Sequence, residues 1–480
     1  MDCLGFRYKI SFASIACAGL LSCGSPTSID APGDDESPID LSRIFANSKP
    51  KNDGPAPDGN QTVYYVDRNH PAADDSNDGL SEASPWETLD KAFNAVNAGD
   101  FVYIKGSTDP ESALAIYERS GHGLDIQTPG TPGQTTVFRN FPGHEVILDG
   151  NGGGNGIQLD QASYHHFYGF VIRNFNKATE GFGSKTDIII ENTEFTITFE
   201  TGMRLRNVTN LILRDVYVHH TFEAGVSIMN GVNVTLERVE SSFNSDGRGG
   251  DGDGDGFHVE PGENIVFIDC YAHDNSEDGF DVQMNGIMYN IVSDNHPNAA
   301  SVKLWRRDND DYAEKTVYII NSVISNTLEA GIKMSCGAKL MAYNNVVYNN
   351  GDEGIAFRDA SICHSQPAVT SSVFNTIVMN SGGQGIDLTA NNNLLEGNNL
   401  YYDNYEPGVG FTVDSSSLVG EDPLFLAAES GDFRLQSSSP AIDAGISVDT
   451  SEINPLLLSL DRAGQDRPIG EAIDIGIFEG

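Results

Sequence analysis

The chain has 480 residues with 51 glycines and 9% aromatic residues, a length and composition that favour one elongated repeat fold as much as two globular domains. Its 28 basic and 69 acidic side chains give a formal net charge of -41. This charge argues against nucleic acid as a partner and against binding to an anionic membrane surface.

The first 22 residues predict an export signal. Arg7 and Lys9 precede an apolar run over residues 10–21, which is too short to span a bilayer. The run ends in Leu-Leu-Ser-Cys23, which resembles the sequence at which bacterial lipoproteins are cleaved and lipidated, so Cys23 is the predicted lipidation site. An ordinary cleaved signal is the alternative. The expected location is extracellular or anchored to the outer membrane of a bacterium, and the lipid is the only expected membrane contact.

Residues 23–61 are polar and rich in Asp, Ser, Pro and Gly, which predicts a disordered linker. Order is expected from Thr62, where a short strand begins.

Ser84 and Pro85 then predict the start of a helix, because serine is a good N-cap and proline suits the first helical position. Apolar residues spaced three and four apart give this helix one apolar face, as expected of a short N-terminal cap: Leu89, Ala92, Phe93 and Val96.

From Gly156 onward the chain repeats the phrase Gly-apolar-X-apolar in units of about 23 residues, some of which are longer by about 8. An Asn or Asp precedes seven of these phrases by 10 or 11 residues. Strand-forming units joined by Asn, Asp and Gly turns predict an all-β parallel β-helix over residues 62–420, followed by a C-terminal capping segment over residues 421–480. The Asn and Asp markers are Asn192, Asp215, Asp269, Asn290, Asn321, Asn344 and Asn375.

The X position of each phrase points to solvent, because side chains alternate along a strand. Successive coils, about 4.8 Å apart, therefore align their X residues in one column on one wall of the solenoid. The predicted column is Arg204, Ser227, His258, Asp281, Lys303, Lys333, Ala356 and Asp387.

Four acids are predicted to converge on this wall: Asp255, Glu277, Asp278 and Asp281. Like charges so placed repel one another unless a cation lies among them, and oxygen ligands favour Ca²⁺ over a transition metal. A column of solvated surface acids is the alternative. The nearby Asp251 and Asp253 fit an ordinary surface loop, with a weak second calcium site left open.

Lys303 is the candidate catalytic base. A lysine acts as a base only when neutral, and a divalent cation together with Arg306 would lower its pKa. A lysine simply paired with Asp281 is the alternative. Lys333 is a second candidate base or a ligand for a substrate carboxylate. Substrate binding is expected from Arg306, Lys333, Arg204 and His258, with Arg206, Arg307 and Arg358 adding to a local basic groove.

Three motifs together resemble polysaccharide lyase family 9, the calcium-dependent pectate lyases: Asp255-Gly-Phe257, Ser276-Glu-Asp-Gly-Phe-Asp281 and Val302-Lys303-Leu304. The resemblance implies a right-handed parallel β-helix, a Ca²⁺ cofactor and β-elimination on an acidic polysaccharide, pectate or polygalacturonate. It also implies Lys303 as the base and Asp255, Glu277, Asp278 and Asp281 as calcium ligands. The chain departs from the family pattern at Glu277, where an aspartate is usual, and at Ala300-Ser301, where Asn-Gly is usual.

Two other functions stay open. A lyase or epimerase acting on alginate or a glycosaminoglycan would use the same scaffold, and a non-catalytic surface β-helix that binds glycans would make Lys303 dispensable. The chain is expected to be a monomer. A disulfide between Cys336 and Cys363 and free buried thiols are both compatible with their spacing.

Overall fold

The computed structural model describes residues 54–119, 124–126, 128–160, 162–246, 253–305, 315–335, 337–358, 368–389, 392–448 and 454–480. Within these ranges, no helix is long and apolar enough to cross a membrane. Cys270 is a buried free thiol. Several predicted features lie outside the described residues: the export signal, Cys23, Asp251, Arg306, Arg307, Cys336 and Cys363.

A single sheet of 33 parallel strands, counted over the described residues, winds into three walls. Each strand pairs with the strand one coil earlier and one coil later, so that Phe257 aligns with Phe280 and Phe280 with Val302. Such pairing satisfies the backbone hydrogen bonds of every inner coil and leaves edges only at the two ends. This is the predicted parallel β-helix.

The first wall carries the predicted column. Its strands are Leu124–Asp125, Asn155–Gln158, Lys177–Gly181, Met203–Arg206, Val226–Met229, Phe257–Ile268, Phe280–Tyr289, Val302–Leu304, Ile332–Ser335, Ile355–Arg358, Ile386–Leu388 and Gly408–Val409. The strands Phe257–Ile268 and Phe280–Tyr289 bend onward into the second wall.

The second wall is completed by Val63–Val66, Phe101–Ile104, Thr136–Asn140, His165–Tyr168, Lys185–Thr198, Val208–Thr221, Gly231–Ser242, Thr316–Ile320, Lys339–Tyr343, Thr370–Phe374 and Asn393–Gly397. Three of these, Lys185–Thr198, Val208–Thr221 and Gly231–Ser242, continue into the third wall. The other strands of the third wall are Ile116–Glu118, Val146–Asp149, Phe170–Arg173, Tyr271–His273, Val292–Asp294, Val323–Ser325, Val346–Tyr348, Ile377–Met379, Leu400–Tyr402 and Leu418–Val419.

The core lies along the axis of the coil and is made of stacked apolar side chains. Phe257 and Phe280 stack with their ring centroids 4.7 Å apart, and both meet Phe267 edge to face. Because inward and outward positions alternate, packing these rings inside fixes His258 and Asp281 on the outer surface of the same strands.

All seven Asn and Asp markers have left-handed backbone angles, with φ between 48° and 56°. Asn and Asp tolerate this conformation better than other residues with a side chain, because they can bond locally. Their side chains also connect the coils: Asn375 donates to Asn344 at 2.9 Å, and Asn290 donates to Asp269 at 3.1 Å. The marker therefore reports a turn that recurs in every coil.

The N-terminal helix is present but starts later than predicted. It spans Leu89–Ala95, and its N-cap is Thr88, whose hydroxyl accepts from the Lys91 amide at 3.2 Å. Asp75 accepts from the amides of Glu87 and Thr88, so these two residues bond outside the helix instead of within it. Ser84 is therefore not the cap.

The C-terminal segment packs along the side of the solenoid. Asn375 donates to the Ile446 carbonyl at 2.8 Å, and Asn321 donates to the Leu460 carbonyl at 2.9 Å. Arg467 forms a fully buried ion pair with Glu479 at 2.6 Å. The remaining elements are the antiparallel strands Phe425–Ala427 and Asp432–Leu435 and the short 3-10 helices Ala113–Ala115, Ala428–Ser430 and Pro455–Leu458.

Candidate active site

The predicted column exists in full. Strand register aligns each X residue with the next, from the N-terminal to the C-terminal coils: Arg204, Ser227, His258, Asp281, Lys303, Lys333, Ala356 and Asp387. The repeat alone was sufficient to predict this alignment, because the two apolar positions of each phrase can face only the core.

Two acids of the cluster occupy the corner that leads into this wall. Asp255 and Asp278 are buried, and the Asp278 amide donates to a carboxylate oxygen of Asp255 at 3.0 Å. The Ala300 amide donates to Asp278 in the same way at 2.8 Å. Each aspartate thus accepts a backbone hydrogen bond from the next coil, which fixes its carboxylate at the edge of the wall.

Lys303 lies between two of the acids. Its ammonium nitrogen is 2.8 Å from Oδ2 of Asp281 and 3.2 Å from Oδ2 of Asp278. Burial opposes the charged form of Lys303, but the two carboxylates outweigh it and raise its pKa above the usual value. Without a cation the lysine is therefore an ion-pair partner, which was the alternative considered for it.

His258 belongs to the acidic cluster. One ring nitrogen lies 3.4 Å from Asp255 and the other lies 3.3 Å from Glu260. Burial disfavours its charge, but these hydrogen bonds prevail and raise its pKa to about 10. Ligand atoms of Asp255, His258 and Asp281 all lie within 4.8 Å of one another. The cluster therefore contains a nitrogen donor, which the oxygen-only argument from sequence did not include.

The acids carry more negative charge than their surroundings balance. Burial raises the pKa of Asp255 to about 8, and the charges of Asp281 and Asp278 add to this effect. Burial also raises the pKa of Asp278 to about 6, against the influence of Lys303. For Glu277, burial and then Asp246 and Asp253 raise the pKa to about 7. The neighbouring carboxylates of Asp255 and Asp278 fit a site for a divalent cation, because a cation would relieve both the burial and the repulsion.

The predicted basic residues on either side are paired locally. Arg204 contacts Glu223 at 2.6 Å, and Lys333 contacts Glu329 at 2.5 Å. Arg358 contacts Glu353 at 2.6 Å and Asp387 at 3.3 Å. Arg206 lies over the ring of Phe182, 5.1 Å from its centroid. A substrate carboxylate would have to share or replace these partners.

Two residues of the site were missed from the sequence. The indole N–H of Trp305 donates to Oδ1 of Asp281. Gln283 is 1% exposed, and neither atom of its amide has a hydrogen-bond partner in the described part of the chain. It faces a β-bulge, since Glu260 and Pro261 lie opposite this one residue. The available signal was strand alternation, which places Gln283 and Trp305 on the same face as Asp281 and Lys303.

Residues 64–297 match the family model described as "Pel9A-like, right handed beta helix region". Among solved structures, pectate lyase Pel9A has 18% sequence identity and a TM-score of 0.51, over 87% of this chain and 96% of that one. The complex of XylC with xylose has 9% identity and a TM-score of 0.52, over 87% and 99% of the two chains. No curated protein matches with significance. Structural likeness at these identities shows the fold alone, and together with the family match it confirms a right-handed parallel β-helix.

Proposed function

We propose that this protein is a polysaccharide lyase that cleaves a uronate polymer, pectate or polygalacturonate, by β-elimination. The observation that carries this proposal is the position of Lys303. Its ammonium nitrogen lies 2.8 Å from Asp281 and 3.2 Å from Asp278 on a wall whose cluster of acids fits a divalent cation. A base beside a cation site is what removal of a proton next to a carboxylate requires.

Asp255, Glu277, Asp278 and Asp281 would hold Ca²⁺, with His258 at the edge of the donor set. When bound, Ca²⁺ would neutralise the carboxylate of the substrate and make the proton on C5 more acidic. The residues around it fix where the sugar lies, since Asp255 and Asp278 are held by backbone amides of the following coils.

Lys303 acts as the base once Asp281 and Asp278 no longer stabilise its charge. The neutral amine takes the C5 proton, and the electrons of the C5–H bond form the C4–C5 double bond. The C4 glycosidic bond breaks, and its oxygen leaves with the departing sugar and takes up a proton. The product carries a 4,5-unsaturated sugar at its new end.

Export is part of the same proposal. The signal predicted over residues 1–22 and the lipidation site at Cys23 would bring the enzyme to polysaccharide outside the cell. Uronate polymers do not cross a membrane unaided, so an exported lyase would meet its substrate outside the cell. Mass spectrometry of the mature N-terminus tests it, because a diacylglyceryl group is expected on Cys23.

The reaction is tested by absorbance near 235 nm, where the unsaturated product absorbs. Purified protein is mixed with polygalacturonate, alginate or chondroitin, with calcium or with a chelator. A calcium-dependent rise on polygalacturonate is expected. No rise on any of the three polymers would contradict the lyase function. Exchange of the C5 hydrogen with deuterated solvent without a rise would instead indicate an epimerase, which shares the proton-removal step.

A further inference from the structure

Both oxygens of the Asp281 carboxylate are held, and by donors of different kinds. Oδ2 accepts from the Lys303 ammonium at 2.8 Å, while Oδ1 accepts from the indole N–H of Trp305. Asp281 is 6% exposed, so these two donors replace most of the water that a free carboxylate would bind. The orientation of this carboxylate is therefore set by two side chains of the next coil.

The ammonium of Lys303 is an internal counter-ion. It bridges Asp281 on the wall and Asp278 at the corner, and its nitrogen lies 3.2 Å from Oδ2 of Asp278. A divalent cation bound by the same two acids would compete directly with it, because both would interact with the carboxylates of Asp281 and Asp278 and both carry positive charge.

The indole of Trp305 cannot be displaced in this way. It is neutral and donates a single hydrogen bond, and a carboxylate oxygen has a second lone pair left for another partner. The Trp305 amide also donates to the Val282 carbonyl at 3.2 Å, which anchors the residue to the strand that carries Asp281. Contacts of this type behind a metal ligand fix its orientation and raise metal affinity.

We infer that Trp305 is a positioning residue of the cation site: it holds Asp281 through Oδ1 while Oδ2 exchanges the Lys303 ammonium for a divalent cation. This inference rests on the proposed function in that it takes Asp281 and Asp278 as cation ligands. It concerns binding, however, and does not require the lyase reaction.

Three variants of the full chain separate the contributions. Trp305→Phe keeps an aromatic ring and removes only the N–H donor. Lys303→Met keeps the aliphatic stem and removes the competing charge. Trp86→Phe is the matched control, because Trp86 is the other tryptophan, is 3% exposed and donates to the Asn77 carbonyl at 2.9 Å in the N-terminal region.

Calorimetric titration with Ca²⁺ gives the first readout. Trp305→Phe should weaken binding about tenfold, the effect of losing one hydrogen bond to a charged group. Lys303→Met should tighten binding, because the competitor is gone. Trp86→Phe should leave the affinity unchanged while lowering stability. Activity of Trp305→Phe should return towards the wild-type kcat as calcium is raised, since the loss is one of cation affinity.

Fluorescence gives the second readout. The Trp86→Phe protein retains Trp305 as its only tryptophan, so its emission should change with added Ca²⁺ and saturate at the calorimetric affinity. In the Trp305→Phe protein the emission of Trp86 should not respond.

Wild-type calcium affinity in Trp305→Phe, or weaker binding in Lys303→Met, would overturn the inference. So would a Trp305→Phe protein that loses stability in chelator but not calcium affinity, because the indole would then be a packing residue only. If all binding results are as expected but no polyuronate is cleaved, the proposed function fails and the inference stands.

Discussion

Two columns of side chains run through the same coils and follow different rules. The turn column repeats Asn or Asp with left-handed backbone angles, with Arg238 in this place in one coil, and its amides bond from coil to coil, as Asn375 does to Asn344. The wall column varies along the solenoid and carries charges of both signs, from Arg204 to Asp387. An amide is a donor and an acceptor at once, so a column of identical amides satisfies itself, whereas a column of identical charges cannot.

The charges of the wall are therefore paired locally, except at its centre. At the flanks Arg204 pairs with Glu223 and Lys333 pairs with Glu329. At the centre Lys303 contacts two buried aspartates at once, and the pKa of Asp255 is about 8 because burial and the charges of Asp281 and Asp278 outweigh its hydrogen bond with His258. In this solenoid the repeated positions form the scaffold, and the coils whose charges are not paired one to one contain the candidate site.

The largest effect is expected at the centre of the wall. Lys303→Met should lower kcat on polygalacturonate by at least about a hundredfold, the usual range for loss of a general base. Initial rates at 235 nm with saturating calcium measure it. Lys333→Met, one coil further on, is the matched control, because Lys333 is paired with Glu329 and lies away from the buried acids. A larger loss in Lys333→Met than in Lys303→Met would show that Lys333 is the base and that the assignment to Lys303 is wrong.

The turn column should show its effect in stability instead. Asn375→Ala removes hydrogen bonds to Asn344 and to the main chain of Ile446, and it forces alanine to adopt a left-handed backbone. A loss of about 3 kcal/mol in the free energy of unfolding is expected from these two costs, with calcium affinity unchanged. Urea unfolding measures it. Asn375→Gly relieves only the backbone cost, so it should recover about 1 kcal/mol, and equal losses in both variants would contradict this division.

A buried histidine, His296, gives a further test of how the fold treats titratable groups. His296 is fully buried, its Nε2 contacts the Ser293 hydroxyl at 3.1 Å, and burial lowers its pKa to about 4. Because the unfolded chain binds a proton near pH 6.5 and the folded chain does not, stability is full above pH 6.5 and falls as the pH drops towards 4. At pH 5 the loss is about 2 kcal/mol.

His296→Asn should remove this part of the acid sensitivity. Urea unfolding at pH 7.5 and pH 5 in chelator gives the loss for each protein, and the difference between wild type and variant isolates His296, since the carboxylates contribute equally to both. An equal loss in the two proteins would show that His296 is charged or exposed at pH 5.

The sequence was sufficient for the scaffold and for part of the site. The phrase and the turn marker predicted the coils and the column that aligns His258, Asp281 and Lys303, because both follow from alternation along a strand. The pairing of Lys303 with Asp281 was an alternative open from the sequence, whereas its contact with Asp278 and the hydrogen bond from Trp305 were not predictable, since they depend on side-chain orientation across coils. The helix start was misplaced because the carboxylate of Asp75, outside the predicted helix, accepts from the amides of Glu87 and Thr88.

The smallest effect is expected at Gln283, a buried amide on the wall that can be compared with the buried amide of Asn375 in the turn column. The amide of Asn375 is fully bonded and supports the fold, whereas the amide of Gln283 is equally buried and lacks partners among the described residues. Gln283→Met keeps the shape and removes two unpaired polar atoms, so the free energy of unfolding should stay the same or rise by up to about 1 kcal/mol. Urea unfolding in chelator measures it beside Asn375→Ala. A loss of stability in Gln283→Met would mean that this amide is hydrogen-bonded in solution, and that the wall at this coil is built as completely as the turn column.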